Sequence, residues 1–235
     1  MNLPASRFPM RFPWLFLLLV APLSCLAQDA KVTCRFLALE GGKLPPALVN
    51  VAADGTEIPC AVPANTISPG TVCSAKDGSI QFLSAGDRKP AATAKIPADL
   101  KHAILVFVAA PNAAAALPWR VFVIEDSAKN FPEGGAFVAN FHQQEIRFVI
   151  GENKTMLKPG GSHGFPRPEK RDEFNMAPVI FQFQQKDTWV TASETMLRFV
   201  PGMRYLVFAF VDPASGRPRI STYQDFKRDA EPPAP

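Results

Sequence analysis

Ile104-Leu105-Val106-Phe107-Val108-Ala109-Ala110-Pro111 and, 102 residues further on, Leu206-Val207-Phe208-Ala209-Phe210-Val211-Asp212-Pro213 decide how this chain is read. Each is an apolar run of β-branched, aromatic and small residues that ends in proline. Neither run holds an i, i+3, i+4, i+7 pattern over three turns, and neither is long enough to cross a bilayer. Both therefore predict central strands covered on both faces, placed where two similar units meet.

Working outward, further pairs occur in the same order, with offsets that rise from 85 to 102. Cys34-Arg35-Phe36-Leu37-Ala38-Leu39-Glu40 matches Trp119-Arg120-Val121-Phe122-Val123-Ile124-Glu125, and Ala47-Leu48-Val49-Asn50-Val51 matches Phe137-Val138-Ala139-Asn140-Phe141. Glu57-Ile58 matches Glu145-Ile146, Ile67-Ser68-Pro69-Gly70 matches Leu157-Lys158-Pro159-Gly160, and Ile80-Gln81-Phe82 matches Phe181-Gln182-Phe183. Ordered matches that include turn residues as well as strands predict an internal repeat. Short apolar runs between Asp54-Gly55, Asp77-Gly78, Gly134-Gly135 and Gly160-Gly161 read as strands and hairpin turns. Ala113–Leu117 and Ser193–Phe199 are the best helical candidates, and both are short.

The expected fold is all-β: two tandem antiparallel β-sandwich domains related by internal duplication, each of about seven strands. At the level of fold this resembles secreted immunoglobulin-like sandwiches, although the Cys…Trp…Cys arrangement of antibody domains is missing and the Cys60–Cys73 spacing is far too short for it. The resemblance implies no activity. The expected boundaries are a signal peptide at 1–27, a first repeat at 28–111, a linker at 112–118, a second repeat at 119–226 and a Pro-rich disordered tail at 227–235.

The leader carries Arg7 and Arg11, the apolar run Trp14–Val20 and small residues at Cys25 and Ala27, the three parts of a secretory signal. Leu23-Ser24-Cys25 is a partial lipoprotein site with proline where an aliphatic residue is usual. Removing the leader lowers the formal charge from +4 to +2, so the basic balance argues for no nucleic-acid partner. No later segment is long and apolar enough to span a membrane as a helix, and the expected location is periplasmic or extracellular. Cys34, Cys60 and Cys73 remain; an oxidising compartment predicts one disulfide, Cys60–Cys73, with Cys34 a buried thiol. No CxxC spacing supports zinc, and neither metal nor cofactor is expected.

Catalytic chemistry is thinly represented. HExxH, GxSxG and Walker-type loops are absent, and His102, His142 and His163 lie in different elements. His102 aligns with Arg204 at a strand end, and His142 is expected to be an exposed turn residue. The second copy carries about 11 extra residues after Ser162, a charged and aromatic surface loop. Within and beyond it Phe165, Arg167, Arg171, Phe174 and Trp189 are the candidate partner-binding residues. The chain is thus expected to be a non-enzymatic binding or structural module of the cell envelope, its partner an envelope protein or polysaccharide. Alternatives are carbohydrate binding on Trp189 or Tyr223, and hydrolysis by His163 with Glu169 and Asp172 of the 163–175 loop.

Overall fold

A computed structural model describes residues 30–40, 44–110, 115–212 and 215–226. The expected signal peptide with Cys25, part of the linker and the C-terminal tail lie outside the described residues.

The described residues are all-β and sandwich-like, with four small sheets and no helix. Sheet A has the order β4 (Thr71–Ala75), β1 (Ala30–Ala38), β7 (His102–Ala109), β8 (Trp119–Glu125). Sheet B runs β3 (Glu57–Cys60), β2 (Leu48–Val51), β5 (Ser79–Ser84), β6 (Pro90–Lys95). Sheet C runs β12 (Ser162–Phe165), β9 (Ala136–Asn140), β15 (Met203–Val211), β16 (Pro218–Phe226). Sheet D runs β11 (Asn153–Leu157), β10 (Ile146–Ile150), β13 (Met176–Gln185), β14 (Thr188–Arg198). Raising each strand number of A and B by eight reproduces C and D. All pairings are antiparallel except β1 with β7 and β9 with β15, which are parallel.

Three apolar clusters order the sheets as layers B, A, C, D. Between A and B, Phe36, Phe82 and Phe107 meet edge to face, with ring centroids 5.3–6.3 Å apart. Phe148 and Phe181 stack at 5.5 Å between C and D. The third cluster joins A to C through Leu37, Ile104, Val106, Leu206 and Phe208. Strand alternation explains the two apolar runs. On β7, Leu105 and Phe107 enter the A–B core while Ile104 and Val106 face sheet C. On β15, Tyr205 and Val207 enter the C–D core while Leu206 and Phe208 face sheet A. Each fully buried Leu or Phe contributes roughly 1.5–3 kcal/mol, so double-sided burial anchors both halves on these two strands.

Of the matched sequence pairs, three fall at corresponding places: the Pro-Gly turns before β4 and β12, β5 with β13, and β7 with β15. The other three slide by one strand. Cys34–Ala38 is β1, but Trp119–Glu125 is β8, which pairs with β7 inside sheet A; β2 is likewise matched to β9, and β3 to the start of β10. An apolar strand closed by glutamate looks the same wherever it stands in the order, so local pattern carries no strand number. Ladder irregularities align the halves better. One lies between Phe82 and Leu83 of β5, the other between Phe181 and Gln182 of β13, and the residue skipped opposite them is Ala91 in β6 and Ala192 in β14.

Turn chemistry is local and readable. Asp77 and Gly78 have φ of 49° and 69°, and Lys76 and Ser79 exchange both backbone hydrogen bonds, a tight hairpin. Lys186 and Asp187 make the β13–β14 turn at φ 46° and 65° without a glycine, which the sequence did not signal. The helical candidate at 193–199 is mostly strand β14, whose cross-strand ladder to β13 overrides helix propensity.

Candidate binding cleft between sheets A and C

One end of the A–C interface is apolar and the other is ionic. Arg35 lies between Cys34 and Phe36, which point into the A–B core, so it projects toward sheet C. Arg204 precedes Tyr205 on β15 and projects toward sheet A in the same way. Asp225 is the register partner of Arg204 on β16. Asp126 directly follows β8, and its N–H donates to the His102 carbonyl at 3.0 Å.

The four side chains form a charge-balanced network. Arg35 donates to Asp225 through Nη1 (3.0 Å) and Nη2 (2.5 Å), and to Asp126 through Nη1 (3.4 Å). Arg204 Nη2 lies 2.5 Å from Asp225 Oδ2 and 3.0 Å from Asp126 Oδ1. The Arg204 guanidinium also sits 3.9 Å from the Phe131 ring centroid and donates from Nη1 to the Phe131 carbonyl. Its buried Nε has no partner. Burial alone would raise the Asp225 carboxyl, but the hydrogen bonds and charges of Arg35 and Arg204 outweigh it and hold the group below the usual carboxylate range. Burial likewise opposes the charge on Arg35, and Asp225 and Asp126 more than restore it.

Above this floor opens a cleft of about 1050 Å³. Its walls are the β3–β4 loop with Val62, Pro63 and Ile67, the segment after β8 with Phe131, and Phe226 at the end of β16. Arg35 and Asp126 keep 23% and 15% of their side chains exposed, against 7% and 2% for Arg204 and Asp225, so they are the floor groups a ligand can reach. A second hollow of about 980 Å³ shares His102 and Asp126 with the first and brings in Lys101, Lys129 and His163. The apolar stretch of the A–C interface is bordered by two hydrogen bonds at its outer edge, Glu40 N donating to the Tyr223 hydroxyl and Ser221 Oγ to Glu40.

The residues singled out from sequence lie mostly elsewhere. Phe165 is 1% exposed: it ends β12 and packs in the C–D core, so the surface loop begins after it. Arg167 is exposed against Gly134, and Arg171 is half-buried with an unpartnered Nε. Phe174 is 64% exposed. Its loop is braced: Glu152 accepts from the Glu169 and Lys170 N–H groups, which lowers its pKa, and Asp172 Oδ1 accepts from Phe174 N and Met176 N. Trp189 is half-buried on β14 and its ring is covered by Arg147 at 4.8 Å. Tyr223 is buried and offers no stacking face. His142 is buried rather than exposed, its Nδ1 accepting from Gln144 N at 3.0 Å, and burial lowers its pKa. His102 and His163 are both exposed around the second hollow.

Cys34, Cys60 and Cys73 are buried thiols of the A–B core. Cys73 interacts with both of the others; contact with Cys34 and burial push it up to about 12, and contact with Cys73 and burial push Cys60 up as well. Among the described residues no group of three or more side chains is arranged to hold a metal ion. Sequence reasoning missed Arg35, Asp126 and Asp225 as site residues; Arg35 alone left a signal, a charge in the middle of an otherwise apolar strand.

No protein-family model and no curated protein matches the chain.

Proposed function

We propose that this chain is an exported, non-enzymatic binding module of the cell envelope, built from two immunoglobulin-like β-sandwiches that arose by internal duplication. The shared strand order and the ladder irregularity at corresponding places support the duplication. The pairing of β8 with β7 supports a boundary after Glu125 rather than at 112–118. The leader composition supports export.

The observation that carries the binding reading is the cleft: apolar walls over a floor of two arginines and two aspartates. A floor of zero net charge gives no preference for a polyanion. Arg35 spends Nε on the Ser68 carbonyl and both Nη atoms on the acids, which leaves one Nη2 hydrogen beside the remaining lone pairs of Asp126, a donor and an acceptor that suit the carbonyl and N–H of an extended polypeptide. Val62, Pro63, Ile67 and Phe226 would take that peptide's apolar side chains. A second reading rests on Phe174, an exposed aromatic on a braced loop, as a knob for a folded partner.

Binding of the full mature chain to an array of 12-residue peptides, with neutral oligosaccharides beside them, tests both. The cleft reading expects peptide binding that falls at least tenfold in Val62→Asp/Phe226→Ser and is unchanged in Phe174→Ser. Loss in Phe174→Ser alone moves the site to the loop, and binding to oligosaccharides alone overturns the peptide assignment.

A further inference from the structure

We propose that Cys60 and Cys73 become joined as a disulfide that ties sheet B to sheet A at the base of the cleft-wall loop, while Cys34 stays a thiol. The three sulfurs converge in one core from three strands: Cys34 on β1, Cys60 on β3 and Cys73 on β4. Cys73 interacts with both of the others in that core, which makes it the shared candidate for a bridge.

Register decides which one. In the β1–β4 ladder Cys73 stands opposite Val32 and Cys34 opposite Thr71, so Cys34 and Cys73 are diagonal neighbours. Diagonal Cα atoms of an antiparallel pair lie about 7–8 Å apart, beyond the roughly 4.4–6.8 Å that disulfides span. Cys60 and Cys73 belong to edge strands of facing sheets, and β3 and β4 approach within 8 Å at their Cα atoms. There the two side chains enter the shared core from facing sheets, and no ladder register holds them at a diagonal spacing.

The bridge would close residues 61–72, and that loop supplies Val62, Pro63, Ile67 and Ser68 to the cleft. Oxidation removes one proton and one electron from each thiol. An oxidised protein or small-molecule disulfide accepts the two electrons and two protons and leaves as two thiols. Burial leaves little thiolate in the folded chain, so the reaction belongs to folding, before β3 and β4 close over the sulfurs. The bridge rests on the export reading. Only its stiffening of the cleft wall rests on the peptide-binding reading.

The test is peptide mass mapping of the full chain, exported by a host with an oxidising periplasm, after alkylation in denaturant without reductant. The expected result is one alkylated thiol at Cys34 and a single unalkylated peptide holding both Cys60 and Cys73, which no Lys or Arg separates, 2 Da lighter than its reduced form. Reduction is expected to lower the thermal midpoint by about 5–10 °C, and Cys34→Ala to keep the bridge. Three alkylated thiols, or a bridge to Cys34, overturn the proposal even if variants at Cys60 or Cys73 fail to fold, because the native chain decides it. Peptide binding is measured on the same samples: a mapped bridge without binding sinks the cleft reading alone, and binding by a fully thiol protein sinks the bridge alone.

Discussion

The sheets that meet across the middle of the molecule have the same strand order but contribute different chemistry. Hydrogen bonds set the correspondence: Leu39 N donates to Phe107 O in sheet A, and Phe141 N to Ala209 O in sheet C. On that register Asp126 and Asp225 occupy corresponding places beside His102 and Arg204. Arg35 corresponds to Phe137, since each faces the matching residue of the central strand, Ile104 or Leu206. The network thus draws its acids from like positions and its arginines from unlike ones. Two similar surfaces that each carried only an acid at this end would repel; one arginine from each half, placed on different strands, neutralises both acids without crowding. The apolar end needs no such asymmetry, because Ile104 and Val106 meet Leu206 and Phe208 by shape alone.

The largest expected effect breaks the apolar end. Phe208→Ala removes a fully buried ring that stacks on Phe141 at 5.4 Å, and should cost about 3–5 kcal/mol in urea unfolding. An unchanged midpoint would mean the halves are not joined there. At the ionic end Asp225→Ala strands two arginines and should cost about 3–4 kcal/mol, whereas Asp126→Ala, more exposed and more weakly bonded, should cost about 1–2 kcal/mol. Equal losses would show that the acids share the load.

Titration sharpens the same contrast. The Asp225 carboxyl is held below its unfolded value of about 3.9, so its contribution is complete above that value and is lost as pH falls through the lower folded one. The urea-midpoint gap between the native chain and Asp225→Asn should stay constant from pH 7 to about pH 5 and shrink below about pH 4; a gap that closes near neutrality would point to a histidine instead. The smallest effect is expected from His102→Arg, which gives sheet A the residue sheet C carries. His102 is exposed and both acids already have partners, so the change should stay within about 0.5 kcal/mol. A larger gain would show that Asp126 is under-neutralised.

Much of the architecture was legible because strands and turns are written locally. The runs at 104–109 and 206–211 announced double-sided burial, and Asp77-Gly78 announced its hairpin. The matching strand order of the sheets was legible only in part: period-two apolarity says that a residue faces a core but not which strand it belongs to, so half of the matched pairs slid along the order. The charged loop was legible as an excursion, yet Phe165 was assigned to it because an aromatic beside a Pro-Arg-Pro stretch reads alike at the last place of a strand and the first of a loop. The ionic network was illegible. Its members come from four strands or their ends, and Arg35 and Asp225 stand 190 residues apart.

By itself the sequence determined that this chain is all-β, where its central strands lie, and that its three later cysteines fall in the first half. Tertiary structure alone decided that those strands meet in a core between sheets A and C, that four charges neutralise one another at its end, and that a cleft opens above them. The reason is range. Backbone pattern and turn chemistry act over a few neighbouring residues, whereas a buried ion pair exists only once packing has taken both partners out of water and brought distant strands face to face.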